Sequence, residues 1–335
     1  MENTIITNSI RLLALVLLVW NIANLSAAEP ASYQLGKADF IAEMQANHGF
    51  DREQLQLLMD KATYRQAIID AISRPAEGKS WREYRPIFVT ESRSRQGVEF
   101  WDANADLLAR AEAEYGVPPE IIVAIIGVET RYGQHLGSYP VLDSLSTLAF
   151  GYPKRGKFFR GELTEFMLLS REETIDMTSA MGSYAGALGM PQFIPSSYRA
   201  YAVDFDADGR RDLWQSSADV IGSVASYFKR HGWSPGHPVT TRASGVESRH
   251  QSYLDAGMKP SIKVAELRRA GIKPDSEVTE NDLASLIALE GEDGMEYWLG
   301  LHNFYVITRY NHSNLYAMAV YQLSQEILRL RRSEG

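Results

Sequence analysis

Apolar residues recur at helical spacing through most of the chain, and the pattern changes in one long segment. Residues 118–129 stand out because they are almost entirely apolar. Between residues 235 and 301, short apolar pieces alternate with turns, which favours strands. The pattern predicts a mainly α (α+β) protein with a small strand-containing segment. Amphipathic helices are predicted at residues 39–59, 63–72, 97–115, 158–170, 220–231 and 316–330.

The apolar helix ends at a carboxyl group. Pro118 and Pro119 open it, since proline is tolerated in a first helical turn, and residues 121–128 carry no polar side chain. Glu129 follows, where burial and the negative end of the helix dipole both disfavour the ionised form. Both effects raise its pKa, as a general acid working near neutral pH requires. The alternative is an ordinary surface glutamate that pairs with Arg131 or Arg155.

Composition narrows the classes of protein. The 335 residues are 45% hydrophobic and 23% charged, which is typical of a globular protein with two or three structural units. The net charge of -8, without a dominant basic patch, argues against a nucleic-acid partner. The chain contains no cysteine, which excludes a thiol nucleophile, a cysteine-bound zinc site, a disulfide and a lipid-modified cysteine. Neither HExxH nor GxSxG occurs, so a peptidase is not expected.

The first 28 residues have the pattern of a secretory signal. Arg11 precedes an apolar stretch at residues 12–20, and small residues follow at 26–28. This order predicts export and cleavage after Ala28. The alternative is an uncleaved membrane anchor, although the apolar stretch is shorter than the roughly 20 residues that span a bilayer.

A segment rich in Gly, Ser and Pro, GSYAGALGMPQFIPSSY, covers residues 182–198. Its glycines allow the backbone to approach a ligand or another helix closely. Ser183 and Gln192 can each donate and accept hydrogen bonds, which suits the hydroxyl and acetamido groups of a sugar. A tight helix-packing loop is the alternative interpretation.

Tyrosines cluster near the carboxyl end, in the stretch NFYVITRYNHSNLYAM at residues 303–318. Tyr305, Tyr310 and Tyr316, together with Asn311, could form a wall on which sugar rings stack. The alternative is a set of half-buried core tyrosines.

Residues 204–212, DFDADGRRD, resemble the first half of an EF-hand calcium loop. Asp204, Asp206 and Asp208 would supply carboxylates, and Arg210 would supply its backbone carbonyl. Gln215 replaces the usual final glutamate, so Asp219 is the candidate late ligand. The sequence thus predicts one structural Ca²⁺ and no organic cofactor. A solvated acidic turn is the alternative.

Together these segments resemble the membrane-bound lytic transglycosylase B family, especially its soluble, non-lipidated members. The resemblance covers nearly all of the chain after the signal segment, and it is most specific in IIGVETRYG, GSYAGALGMPQFIPSSY, DFDADGRRDLW with residues 222–233, and NFYVITRYN. It implies a goose-type lysozyme-like core with Glu129 as the catalytic acid/base and a calcium site in the acidic loop. The groove residues that it implies are Tyr84, Ser183, Gln192, Tyr227, Tyr310, Asn311 and Tyr316.

The resemblance also implies a domain order and a location. The expected units are a signal peptide (1–28), an N-terminal helical domain (29–85), a lysozyme-like core with the EF-hand-like loop 204–219 (86–234), a small strand-containing domain (235–301) and a C-terminal segment that completes the groove and the helical domain (302–335). We expect a monomer, free in the periplasm of a Gram-negative cell, that acts on peptidoglycan glycan strands, alone or with other cell-wall enzymes.

The implied reaction cleaves the β-1,4 bond between N-acetylmuramic acid and N-acetylglucosamine. Glu129 donates a proton to the bridging oxygen and then takes one from the muramyl C6 hydroxyl, whose attack on C1 forms a 1,6-anhydro sugar. One carboxylate suffices, whereas ordinary glycosidases use two. Asp143, Glu162 and Glu165 stay open as a second carboxylate. The alternatives are a hydrolytic lysozyme or muramidase and a non-catalytic wall-binding calcium scaffold.

Overall fold

Helices form most of the chain in the computed structural model, which describes residues 29–74 and 78–334. The predicted signal segment lies outside the described residues. The helices are α1 (Ala31–His48), α2 (Arg52–Met59), α3 (Gln66–Ile72), α4 (Trp81–Phe88), α5 (Glu91–Ala103), α6 (Ala105–Tyr115), α7 (Pro119–Thr130), α8 (Val141–Gly151), α9 (Gly156–Glu173), α10 (Pro195–Tyr201), α11 (Ser217–Arg230), α12 (Gln251–Leu254), α13 (Val264–Arg269), α14 (His302–Tyr310) and α15 (Asn314–Glu334).

Strands are concentrated in one part of the sequence. A five-stranded antiparallel sheet has the order β4-β6-β7-β3-β5, and β1 and β2 form a separate short pair. The mainly α fold with a small sheet is the predicted fold class, which is confirmed. The strands are β1 (Tyr139–Pro140), β2 (Met181–Gly182), β3 (Thr240–Ser244), β4 (Ile262–Lys263), β5 (Lys273–Pro274), β6 (Leu283–Gly291) and β7 (Gly294–Gly300).

Helix α7 lies in the centre of the main core. Its residues from Ile121 to Val128 are all buried, as their unbroken apolar sequence predicts. Helices α5, α6, α11 and α15 pack around it. Each buried Ile or Val of α7 contributes about 1.5–3 kcal/mol of transfer free energy. The strength of this packing fixes the position of the last turn, where Glu129 lies.

Two predicted helices are each interrupted in the structure. The single helix expected at residues 97–115 is divided between α5 and α6, because Asn104 leaves the helical region (φ -125°, ψ 24°) and its side chain donates to the carbonyl of Phe100. The segment 39–59 is divided between α1 and α2. Gly49 adopts a left-handed conformation there, and the Asp51 side chain then accepts from the backbone of Gln54 to begin α2. Both breaks come from polar capping that an apolar pattern does not record.

The sheet separates two hydrophobic clusters. Strand β6 is buried on both faces, so alternate residues contact different cores. Ala284 and Leu286 belong to a small cluster with α13, whereas Ile287 and Leu289 join the main core. Helix α4 contacts β6 and also α15. The sheet therefore packs directly against the helical core.

The amino-terminal helices pack on another side of the core. Helices α1 and α3 contact α8, which in turn packs on α9. Within the described part of the chain, no helix has the length and apolar character needed to cross a membrane. The domain boundaries expected from the sequence stay a prediction.

Candidate active site

Glu129 lies in the last turn of α7, immediately before an unusual chain reversal. Arg131, Tyr132 and Gly133 follow with positive φ angles of 50°, 58° and 86°. Left-handed conformations are strained for residues with a Cβ and persist only where surrounding contacts hold them. Such strain is frequent beside functional groups.

Two side chains of this reversal hold it to the neighbouring elements. The Thr130 hydroxyl donates to the Met190 carbonyl at 2.9 Å, which ties the end of α7 to the Gly/Ser-rich segment. The Tyr132 hydroxyl donates to the carbonyl of Arg93 at 3.0 Å. A Cβ at Gly127 would lie 2.5 Å from the same hydroxyl, so glycine is required there. Sequence reasoning missed Thr130 and Tyr132, and the glycine inside an apolar helix was the available signal.

The surroundings of Glu129 favour its protonated form. Burial raises the pKa of Glu129 from 4.5 to about 7, and a hydrogen bond from Tyr316 opposes this rise in part. The Tyr316 hydroxyl donates to Oε1 of Glu129 at 2.5 Å. The residue itself is half-buried, so a face remains open to solvent. A carboxyl group of this kind can give up a proton near neutral pH and take it back.

Neither arginine that could have neutralised Glu129 is used in that way. Arg131 Nε donates to Oε1 of Gln96 at 2.7 Å. Arg155 places its guanidinium over Phe158, 4.3 Å from the ring centroid. The alternative drawn from the sequence, a surface ion pair of Glu129 with Arg131 or Arg155, is therefore not formed, and Glu129 can carry a proton.

The three other candidate carboxylates have partners of their own. They are Asp143 with Arg65, Glu162 with Ser196, and Glu165 with Arg199. Asp143 is held at 2.6 Å by Arg65 Nε, and Glu162 accepts from both the backbone N–H and the hydroxyl of Ser196. Each is engaged in holding one element to another.

Aromatic rings surround the carboxyl group of Glu129. The Tyr310 ring stacks beside Tyr316, with centroids 6.4 Å apart and planes 11° apart. Tyr227 lies 4.8 Å from Tyr310, and the hydroxyls of these two donate to backbone carbonyls. Tyr84 is close enough that the charge of Glu129, added to burial, raises its pKa to about 12. Tyr227 and Tyr316 are buried, whereas Tyr84 and Tyr310 are partly exposed, so stacking of a sugar on these rings stays a prediction.

Ser183 and Gln192 are oriented by backbone contacts. The Ser183 hydroxyl oxygen accepts from the N–H groups of Ala185 and Ala187, at 3.2 and 3.0 Å. Gln192 has a φ of 50°, and its amide nitrogen donates to the Gly189 carbonyl at 2.9 Å. The Ser183 O–H and the Gln192 amide oxygen remain suited to meet a ligand. Their roles in binding stay a prediction.

Tyr305 and Asn311, two other residues of the aromatic stretch, lie in different surroundings. Tyr305 lines a cavity of about 400 Å³ together with His237 and Lys259, so it does not join Tyr310 and Tyr316. The inclusion of Tyr305 in a stacking wall was wrong, because Tyr305 and Tyr310 are five residues apart in α14 and therefore point about 140° away from each other. Asn311 is exposed at the end of α14, where a ligand could reach it.

The acidic loop and the start of α11 bring three carboxylates together. Oxygens of Asp204, Asp206 and Asp219 all lie within 4.8 Å of one another. Asp208 does not join this group, and its Oδ1 accepts from the backbone N–H of Arg210 at 2.9 Å. The buried Asp219 accepts from the backbone at both ends of the loop, so it closes the loop. Oxygen donors so arranged fit Ca²⁺, although the ligand set stays a prediction.

A mainly helical fold with one protonatable carboxyl at the end of its central helix defines a lysozyme-like enzyme that cleaves glycosidic bonds. The chain belongs to the family described as the transglycosylase SLT domain, which it matches over residues 33–325. It is 45% identical over 298 residues to the membrane-bound lytic murein transglycosylase B of Escherichia coli (strain K12), covering 86% of this chain and 81% of that protein. The family and the peptidoglycan lytic transglycosylase activity predicted from the sequence are thereby confirmed.

Solved structures agree with this assignment. Soluble lytic transglycosylase SltB1 of Pseudomonas aeruginosa has a TM-score of 0.84 and 53% identity, covering 88% of this chain and 99% of that one. Escherichia coli lytic transglycosylase Slt35 in complex with calcium has a TM-score of 0.82 and 44% identity, with coverage of 89% and 94%. Pseudomonas aeruginosa SltB3 in complex with NAG-anhNAM-pentapeptide has a TM-score of 0.79 and 30% identity, with coverage of 89% and 80%.

Proposed function

We propose that this lytic transglycosylase uses Glu129 as its single acid/base, on the bond between N-acetylmuramic acid and N-acetylglucosamine. Protonated Glu129 gives its proton to the bridging oxygen, and the substrate's acetamido group stabilises the charge that develops at C1. Ionised Glu129 then removes the proton of the muramyl C6 hydroxyl, which attacks C1. The products are a free 4-hydroxyl and a 1,6-anhydro sugar, and no water is consumed.

The observation that carries this proposal is the environment of Glu129. Burial raises the pKa of this carboxyl to about 7, so both protonation states are accessible near neutral pH. The alternative carboxylates are bonded to other residues, which favours a mechanism with one carboxyl rather than two. The relative SltB3 has been solved in complex with NAG-anhNAM-pentapeptide, which supports the same chemistry.

Mass spectrometry of muropeptides released from purified peptidoglycan tests the reaction. We expect fragments that end in anhydromuramic acid, which are lighter by one water than hydrolysis products. Reducing ends would instead identify a hydrolytic muramidase. A complete lack of cleavage with calcium present would support a wall-binding scaffold.

The change Glu129→Gln tests the assigned residue. We expect at least about 10³-fold slower release of muropeptides, because the general acid is lost while the side-chain shape is kept. Glu162→Gln is the matched control, since Glu162 also has a pKa raised by burial but bonds Ser196. Glu162→Gln should lower the melting temperature but have little effect on the rate of muropeptide release. Equal losses of rate in both variants would contradict the assignment of Glu129.

The acidic loop is proposed to hold one structural calcium ion. Asp204, Asp206, Asp208, the carbonyl of Arg210 and Asp219 would provide oxygen ligands, and the ion would neutralise carboxylates that otherwise repel one another. The relative Slt35 has been solved with calcium. We expect CaCl₂ to raise the melting temperature and EGTA to reverse the rise. An identical melting curve in both would contradict the site.

The proposed location is the periplasm, where the substrate lies. The signal-like residues 1–28 support export, and the absence of cysteine leaves no residue for lipid attachment. Fractionation should recover the enzyme in the osmotic-shock fluid and not in the membrane pellet.

A further inference from the structure

A second cavity lies beside the acidic loop and outside the proposed active site. It has a volume of about 410 Å³. Trp214 and Met181 contribute apolar surface, and Met181 is 40% exposed. Gln215 and Ser179 contribute exposed polar side chains. A flat indole beside amide and hydroxyl groups is a combination suited to a sugar ring.

The indole is held in a fixed orientation. Its Nε1 donates to the carbonyl of Met181 at 3.3 Å, and its ring lies 5.9 Å from that of Tyr198. An aromatic ring that is already ordered loses little conformational entropy when a ligand stacks on it. The lining of this cavity is therefore prepared in the unbound protein.

The cavity is continuous in the chain with the Gly/Ser-rich segment that bears Ser183. Met181 begins β2, and Ser183 follows two residues later, a reach of about 7 Å in extended chain. The backbone N–H of Met190 donates to the carbonyl of Leu213, so the loop that bears Trp214 is joined to the same segment. A polymer bound at Ser183 can therefore extend toward Trp214.

The charges favour a neutral ligand over an anionic one. Three carboxylates and two guanidinium groups line the cavity, namely Glu173, Asp176, Asp212, Arg210 and Arg211. Arg211 is already paired with Glu173, and Asp176 accepts from Thr178 and Ser179. The carboxylates of a stem peptide would meet this net negative charge, whereas an N-acetylglucosamine residue would not.

We propose that this cavity is an accessory site for an N-acetylglucosamine residue of the same glycan strand, an inference that rests on the proposed function of Glu129. Trp214 stacks on the sugar ring, and Gln215 bonds its polar groups. The site increases the affinity for long strands and takes no part in the cleavage step.

The test compares long glycan strands with a short oligosaccharide that spans the Glu129 site only, at saturating calcium. For Trp214→Ala, we expect the ratio of kcat/KM on long strands to kcat/KM on the short substrate to fall by about tenfold, mainly through KM. Trp214→Phe should restore most of the ratio, and Gln215→Ala should lower it less. Phe158→Ala, at an exposed aromatic of another cavity, should leave the ratio at the wild-type value.

The outcomes separate this site from the catalytic proposal. If Trp214→Ala lowers both rate constants equally, Trp214 is structural and the accessory site is overturned. If the effect appears with peptide-bearing strands and not with peptide-free strands, a stem-peptide site replaces the sugar site. An inactive Glu129→Gln variant that still shows the Trp214 effect in pull-down with insoluble peptidoglycan would support the site independently of cleavage.

Discussion

The molecule contains two carboxylate sites whose surroundings act in opposite ways. Glu129 directly follows the apolar run at residues 121–128 of α7, and among the described residues its one hydrogen-bond donor is the Tyr316 hydroxyl. The acidic loop places three carboxylates within 4.8 Å and supplies them with backbone N–H donors. The first environment favours a bound proton, and the second favours a bound cation. A carboxyl group can therefore serve as an acid or as a metal ligand, depending on which groups surround it once it is removed from water.

Asp219 shows that the two sites differ in their donors as much as in their burial. Burial and the charges of Asp206 and Asp204 raise the pKa of Asp219, as burial does for Glu129. Two backbone N–H groups, of Phe205 and Asp212, bond its two oxygens at 2.7 Å and oppose that rise. A divalent cation would relieve the repulsion that remains.

The largest effect on stability that we predict comes from Glu129→Gln measured across pH. The pKa of Glu129 is raised in the folded state, so its contribution to stability is full below pH 4.5 and is lost as pH rises through about 7. Gln carries no titrating proton and can still accept from Tyr316. We compare the free energy of unfolding of the variant with that of the wild type. The variant's advantage should be larger at pH 8 than at pH 4, by up to about 3 kcal/mol.

Urea denaturation at pH 4, 6 and 8 measures this difference. Glu172→Gln is the opposite control, because the hydrogen bond from Arg199 lowers the pKa of Glu172, and its loss should cost stability at pH 8. A difference between Glu129→Gln and the wild type that does not depend on pH would show that Glu129 has an ordinary pKa.

A somewhat smaller effect on stability is expected in the acidic loop. Two variants there distinguish the closing of the loop by Asp219 from the binding of an ion. Asp219→Ala leaves the N–H groups of Phe205 and Asp212 without acceptors, so we expect a loss of about 2–3 kcal/mol even in EGTA. Asp206→Asn removes one charge from an exposed position, so it should mainly weaken the stabilisation by calcium. Urea unfolding with EGTA and with CaCl₂ distinguishes them. If the two variants lost the same stability in EGTA and the same stabilisation by CaCl₂, the distinction between loop closure and ion binding would be contradicted.

The sequence predicts the apolar helix and its terminal acid well, because both depend on local order. Residues 121–128 form one uninterrupted apolar run, and such a run has to be buried wherever the chain folds. The raised pKa of Glu129 follows from that burial. The interruption at Asn104 was missed, since a polar side chain that bonds its own helix leaves no mark in the apolar pattern.

Contacts between distant segments could not be predicted from the sequence. The partner of Glu129 is Tyr316, 187 residues away. Tyr305 and Tyr310 share α14 yet face different surroundings, and only the packing of that helix decides which one meets Tyr316. The motifs of a family, and their order along the chain, indicate the chemistry of a site. The direction in which each side chain points depends on tertiary structure.

The smallest predicted effect is the most specific test of the Glu129 environment. Tyr316→Phe keeps the buried ring but removes the donor to Oε1 of Glu129, and that hydrogen bond lowers the pKa of Glu129. The pKa of Glu129 should therefore rise by about one unit, and the alkaline limb of kcat/KM should move to higher pH by the same amount.

The pH profile of Tyr321→Phe is the matched control, because Tyr321 lies on the same helix and its ring packs against Trp298 instead. Its alkaline limb should coincide with that of the wild type. An alkaline limb that stays in place in Tyr316→Phe, with cleavage still measurable, would mean that a group other than Glu129 sets it. A shift in Tyr316→Phe alone would assign that limb to the one acid whose proton Tyr316 influences directly.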